Sequence, residues 1–141
     1  NAELKAELEA VEWRMPTHIY GFTTEMPKFM TASDMLVTKA GPGTISEAFI
    51  ARLPLILYAR LPGQEDGNVT YVENERAGVW APRPREVVDA VRHWVENPAA
   101  REAAAIASAR VARPNAARDI ARLIADQVGV RPTTVRVESQ A

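Results

Sequence analysis

The stretch Asp34-Met35-Leu36-Val37-Thr38-Lys39-Ala40-Gly41-Pro42-Gly43-Thr44-Ile45-Ser46-Glu47-Ala48-Phe49 decides the fold. Asp34 to Thr38 reads as a compact apolar strand, Gly41-Pro42-Gly43 as a turn, and Thr44 to Arg52 as a helix that buries Ile45, Ala48, Phe49 and Leu53. A switch from strand to helix periodicity across a glycine turn is the repeating step of an α/β layer. Pro54 to Tyr58 supplies the next strand, and it is too uniformly apolar to have one face in water.

Working outward, the alternation continues. A long loop covers Ala59 to Gly67, a helix is predicted over Asn68 to Arg76, and a short strand over Gly78 to Ala81. Residues 85–97 form an amphipathic helix with Val87, Val88, Val91, Trp94 and Val95 on one stripe. Two more helices, 99–112 and 115–128, flank Pro114, and residues 130–141 carry no strong pattern. Toward the N-terminus, 2–12 reads as a helix with Leu4, Leu8 and Val11 at helical spacing. His18-Ile19-Tyr20 reads as a strand and Pro27 to Ala32 as a short helix. The expectation is a Rossmann-like, mainly parallel sheet of four strands with flanking helices. Such sheets usually have five or six strands, so the first ones are expected to be missing. The domain is predicted over 1–129, followed by a tail over 130–141.

Composition excludes several function classes. The 141 residues hold no cysteine, which removes disulfide scaffolds and thiol or thiolate-metal chemistry. Net charge is −1, without the basic surplus of a general nucleic-acid binder. No apolar run approaches the roughly 18 residues of a membrane span. Residues 98–141 carry seven Arg against four acids. This reads either as a solvated helix surface or as contact with an anionic membrane, where each basic group adds about 1 kcal/mol.

The strand–glycine turn–helix unit is also where chemistry is expected. Glycines there let backbone N–H groups approach an anion, and a helix N-terminus adds partial positive charge. The position at the carboxyl end of a parallel strand is where α/β proteins bind ligands. Lys39-Ala40-Gly41-Pro42-Gly43-Thr44 is neither a Walker A loop nor a dinucleotide fingerprint, so it is a candidate phosphate cradle or simply a tight turn. Glu47, three residues after Thr44, fits a capping box with Thr44 as the cap. It equally fits a carboxylate that accepts from two vicinal ribose hydroxyls. Pro62-Gly63-Gln64-Glu65-Asp66-Gly67-Asn68 is dense in donors and acceptors suited to sugar hydroxyls, or is an ordinary polar loop, with Asp66 as its expected bystander. Gly21-Phe22-Thr23-Thr24 follows a strand end; its backbone could pair with a base edge, with Phe22 or Met26 packing on the ring, or both side chains simply pack in the core. His18 and His93 lack triad partners and are read as structural. There is no Asp-x-Asp and no His/Glu metal cluster.

The order of these motifs resembles a known family. Gly21-Phe22, Met26-Pro27, Ser33-Asp34, Lys39 to Thr44, Glu47-Ala48, Leu53-Pro54 and Pro62-Gly63-Gln64-Glu65 with Gly67-Asn68 are similar to the C-terminal donor-binding domain of monogalactosyldiacylglycerol synthases. These belong to the family 28 type of GT-B glycosyltransferases, shared with diacylglycerol glucosyltransferases and the peptidoglycan transferase acting on lipid I. The resemblance spans roughly residues 16–97. It implies the C-terminal half of an inverting, metal-independent enzyme without a cofactor, which transfers galactose or glucose from a UDP-sugar to diacylglycerol. By the same resemblance, Phe22 and Thr23 would hold uracil through backbone groups, with Met26 nearby. Gly41, Gly43 and Thr44 would hold the diphosphate, aided by Lys39. Glu47 would bind ribose, and Gln64, Glu65 and Asn68 would read the sugar. The family's catalytic base lies mainly on the N-terminal domain, so no catalytic residue is expected here and this chain alone is expected to be inactive. A cytoplasmic, peripheral-membrane location is implied for the complete protein, and no nucleic-acid partner. Rival readings are a freestanding nucleotide-sugar-binding subunit of a split transferase, and a GT-B-fold epimerase.

Overall fold

The computed structural model describes residues 1–129, so the tail 130–141 lies outside the described residues. The element order is α1 (Ala2–Glu9), α2 (Met26–Thr31), β1 (Leu36–Lys39), α3 (Pro42–Ile50), β2 (Leu55–Ala59), α4 (Asp66–Asn74), β3 (Gly78–Trp80), α5 (Pro84–Glu96), α6 (Pro98–Val111) and α7 (Ala116–Gln127). The three strands form a parallel sheet in the order β1-β2-β3. Parallel neighbours need a crossover, and α3 and α4 supply the two.

The uniformly apolar strand is indeed central. Leu53 to Leu57 are all buried, and side chains alternate across the sheet. Leu55 and Leu57 join Ile45, Ala48 and Phe49 of α3, Val69 and Val72 of α4, and Val111 of α6 on one face. Ile56 joins Trp94 of α5 and Ala104 of α6 on the other. The sheet is therefore covered on both faces, the arrangement that makes a hydrophobic run the right sequence for a strand. Ser108 on α6 is fully buried, and its hydroxyl donates to the Leu53 carbonyl at 2.8 Å, so α6 is tied to the chain entering β2.

Four expectations are corrected. The strand at His18-Ile19-Tyr20 does not form, and the sheet has three strands among the described residues rather than four. Instead Tyr20 packs against Phe29 of α2 with ring centroids 4.7 Å apart and the rings tilted by 42°, so the aromatic side chain is used by a helix, not by a sheet. The helix expected over 2–12 stops at Glu9, and Leu4 and Val11 remain about half exposed because no element packs on that stripe. On α5 only Trp94 is buried; Val87 and Val91 are half-buried and Val88 and Val95 exposed, so the face in contact is narrower than the apolar stripe. Finally, the helices after β1 and β2 begin two residues earlier than read, at Pro42 and Asp66. Proline is pre-organised for the first helical position, and an acid there complements the helix dipole.

Candidate functional site

The carboxyl ends of the three strands open at Ala40, Arg60 and Ala81, and each leads into a helix N-terminus, at Pro42, Asp66 and Pro84. The cap of α3 is Gly41, in extended conformation (φ −68°, ψ 130°), and no side chain caps the helix. Pro42 has no N–H and the Ile45 N–H is bonded back to the Gly41 carbonyl at 3.0 Å. That leaves the Gly43 and Thr44 amides as the orphan donors of the first turn. The capping box considered for Thr44 and Glu47 is thus absent, since Thr44 lies inside the helix and not at its cap. Glu47 is exposed on α3 and, with Pro27, Met30 and Thr31 of α2, borders a cleft of 220 Å³.

The second helix N-terminus is tied to the first. The Asn68 side-chain amide, on the first turn of α4, donates to the Ala40 carbonyl at 2.8 Å and is partly buried. This bond fixes the carbonyl immediately before the Gly41 turn. It also occupies one donor of a side chain expected to read the sugar. Glu65 caps α4 by position; its Oε2 accepts from the Leu61 N–H at 2.7 Å. Its Oε1 lies 4.0 Å from where a Cβ on Gly41 would sit. Glu65, Asn68 and Gly41 are therefore brought together, joining the two motifs that lie more than twenty residues apart in the chain.

The loop between β2 and α4 is built from its own acids. Leu61-Pro62-Gly63-Gln64 is a turn closed by the Gln64 N–H onto the Leu61 carbonyl at 3.2 Å, with Gly63 at φ +79°. Proline followed by a glycine in that region is the type II signature. Asp66 was expected to be a bystander; the structure makes it the organiser of the loop. Its Oδ2 accepts from the Gly63 N–H at 2.8 Å and its Oδ1 from Arg60 Nε. Those two partners, the Gly63 amide first and the Arg60 guanidinium second, hold the Asp66 carboxyl below the usual aspartate range. Arg60 also lies over the Trp80 ring at 5.0 Å. Neither Arg60 nor Trp80 was picked out from the sequence, since a lone arginine after a strand carries no motif.

The remaining candidates sit at the periphery. Lys39 is the exposed last residue of β1, where the pairing register with β2 slips by one. Phe22 is 99% exposed and packs on nothing among the described residues. The Thr23 hydroxyl accepts from the Glu25 N–H at 3.0 Å, which sets the entry to α2, where Met26 is the first residue. Gln64 is exposed on the type II turn.

Comparison with known proteins gives the same direction. The glycosyltransferase family 28 C-terminal domain matches residues 2–124. The chain is 48% identical over 94 residues to monogalactosyldiacylglycerol synthase 2, chloroplastic, of Arabidopsis thaliana, covering 67% of this chain and 20% of that protein. It is 40% identical over 118 residues to monogalactosyldiacylglycerol synthase 1, chloroplastic, of the same plant, covering 82% and 22%. It is 42% identical over 94 residues to monogalactosyldiacylglycerol synthase, chloroplastic, of Spinacia oleracea, covering 67% and 18%. The chain spans about a fifth of the length of these relatives.

Proposed function

Because the chain belongs to the glycosyltransferase family 28 C-terminal domain family, we propose that it is the UDP-sugar-binding part of an inverting glycosyltransferase that moves galactose or glucose onto diacylglycerol. The observation that carries this is the uncapped start of α3 at the carboxyl end of β1. Two orphan backbone N–H groups, Gly43 and Thr44, together with the positive end of the helix dipole, form a ready anion site. The donor diphosphate sits there, with Lys39 as an added cation. As the glycosidic bond breaks, charge grows on the leaving diphosphate, and fixed N–H dipoles stabilise it without reorganising.

The other candidates fill out the donor. Glu47 accepts from the ribose hydroxyls, Phe22 and Thr23 offer backbone groups to uracil, and Met26 packs beside it. Gln64, Glu65 and Asn68 meet the hexose, Asn68 chiefly by holding the Ala40 carbonyl in place. The general base and the acceptor groove belong to the rest of the enzyme. The relatives' names support a monogalactosyldiacylglycerol product and a chloroplast setting for those proteins. For this chain we propose peripheral association with the membrane that supplies diacylglycerol; no helix among the described residues is long and apolar enough to cross one.

Calorimetric titration with UDP, UMP and uridine tests the reading. UDP is expected to bind more tightly than UMP, and UMP more tightly than uridine, because each added phosphate meets the α3 terminus. Equal affinities for UDP and uridine would remove the diphosphate from that site.

A further inference from the structure

Arg60, Asp66 and Trp80 form a constellation at the carboxyl edge of the sheet that no motif explains. Trp80 ends β3 and packs against the apolar core shared with α3 and α4, so it is a fixed wall. Arg60, the first residue after β2, lays its guanidinium over that wall at 5.0 Å and gives Nε to Asp66 Oδ1. Asp66 Oδ2 in turn takes the Gly63 N–H at 2.8 Å, on the positive-φ corner of the type II turn. The chain of contacts thus runs from the core, through one arginine, to the turn that carries Gln64.

We propose that Arg60 is a positioning residue for the donor hexose, latching the 61–67 loop to Trp80 through Asp66. The proposal rests on the donor-binding reading given above. An exposed ion pair is weak when each partner can move freely. Here Arg60 is restrained by the ring beneath it, and Asp66 is restrained by the Gly63 amide and by its place on the first turn of α4. A planar guanidinium can stack and donate sideways at once, which a lysine ammonium cannot. Loss of Arg60 removes the side-chain restraint on Asp66 and so loosens the Pro62–Gly63 turn, which keeps its bonds to Leu61 and Glu65, while leaving the α3 terminus untouched, because Asn68 and the Gly41 cap do not depend on it.

The test uses amide exchange by NMR and calorimetry on wild type, Arg60→Ala and Arg60→Lys. In the absence of ligand, Arg60→Ala is expected to speed exchange of the Gly63 amide by about three- to thirtyfold, the weight of one exposed ion pair plus one cation–π contact. The Kd for UDP-galactose or UDP-glucose should rise by a similar factor, the Kd for UDP should stay within about twofold, and Arg60→Lys should recover part of both. Unchanged Gly63 exchange in Arg60→Ala overturns the latch. Faster exchange with UDP and UDP-sugar affinities falling together, or with neither falling, overturns the positioning role. A wild-type chain that binds neither nucleotide overturns the donor reading and that role with it, while the Gly63 exchange still decides whether the latch exists.

Discussion

At the scale of single residues, Glu47 shows how a local ambiguity is resolved by where a helix starts. Its spacing from Thr44 fits a capping box as well as it fits a ribose contact. The start of α3 at Pro42 removes the first use, leaving an exposed carboxylate at the mouth of the α2–α3 cleft. Proline's preference for the first helical position was the signal in the sequence that pointed the same way. Glu47→Ala is therefore expected to leave the melting temperature unchanged and to weaken UDP by about 1.5–3 kcal/mol, the worth of hydrogen bonds to a charged group. A fall in melting temperature with UDP affinity intact would return Glu47 to a structural role. Gln64→Ala should weaken UDP-sugar but not UDP. Glu65→Ala is a poorer test of sugar contact, since it also releases the Leu61 N–H. Asp66 adds a pH dependence. Its carboxyl is held below the ordinary value of 3.8 by the Gly63 amide and then Arg60, so the ordering it gives the loop is complete above that value. The ordering is lost as the pH falls through the lower value of the folded protein. Acid titration followed at the Gly63 amide should show protection persisting to below 3.8 in wild type and much reduced at neutral pH in Asp66→Asn.

At the scale of elements, the sequence was most legible where a segment is buried on both sides and least where a tertiary partner decides. The core positions of α3 and the apolar run of β2 could be read from composition and period alone; Ile45, Ala48, Phe49 and Leu55 to Leu57 are buried as expected, whereas Tyr58 at the end of the run is exposed. His18-Ile19-Tyr20 has the same local look as a short strand, yet three residues cannot form one without a neighbour, and the ring of Phe29 takes Tyr20 instead. Two helix ends were equally opaque. Arg52 and Arg76 follow α3 and α4 with φ of 60° and 59°, the left-handed cap conformation that glycine normally fills. A non-glycine residue there costs roughly 1–2 kcal/mol, partly offset by the greater freedom of an unfolded glycine. Arg52→Gly is expected to raise stability by about 0.5–1 kcal/mol in urea melts, since its 3.6 Å pairing with Glu102 is exposed and contributes little. Gly78 is the opposite case. A Cβ at the start of β3 would meet the Leu55 carbonyl oxygen at 2.3 Å and Val72 Cγ1 at 2.7 Å. The strand must shift to admit it, and Gly78→Ala should destabilise by about 3 kcal/mol, as forced overpacking does. A melt unchanged from wild type would show that the β2–β3 pairing is looser than its register indicates.

At the scale of the whole molecule, the distribution of apolar surface is uneven, and it sets how the 141-residue chain behaves in solution. The sheet and its two flanking layers bury their side chains well, whereas α1 and α7 contribute no buried residue at all. On α7, Ile120, Leu123 and Ile124, with Val128 at the cap that follows it, are each more than half exposed and fall on one side of a strongly amphipathic helix, with Arg118, Asp119, Arg122 and Asp126 on the other. Near α1, Leu4, Val11, Trp13 and Met15 add a second exposed group. A stripe with that periodicity is a face made for packing, and soluble monomers seldom leave such patches open. β1 and β3 each pair on one side only among the described residues, which leaves two further edges able to recruit another chain. The isolated chain is therefore expected to self-associate as its concentration rises. Replacing two side chains of the α7 stripe, Leu123→Glu with Ile124→Glu, should return it toward a monomer in light scattering. The melting temperature at low concentration should hold, because neither side chain has buried contacts to lose. If the double variant associates as strongly as wild type, the strand edges carry the association instead. If wild type remains monomeric at every concentration, neither the α7 stripe nor the strand edges drive association.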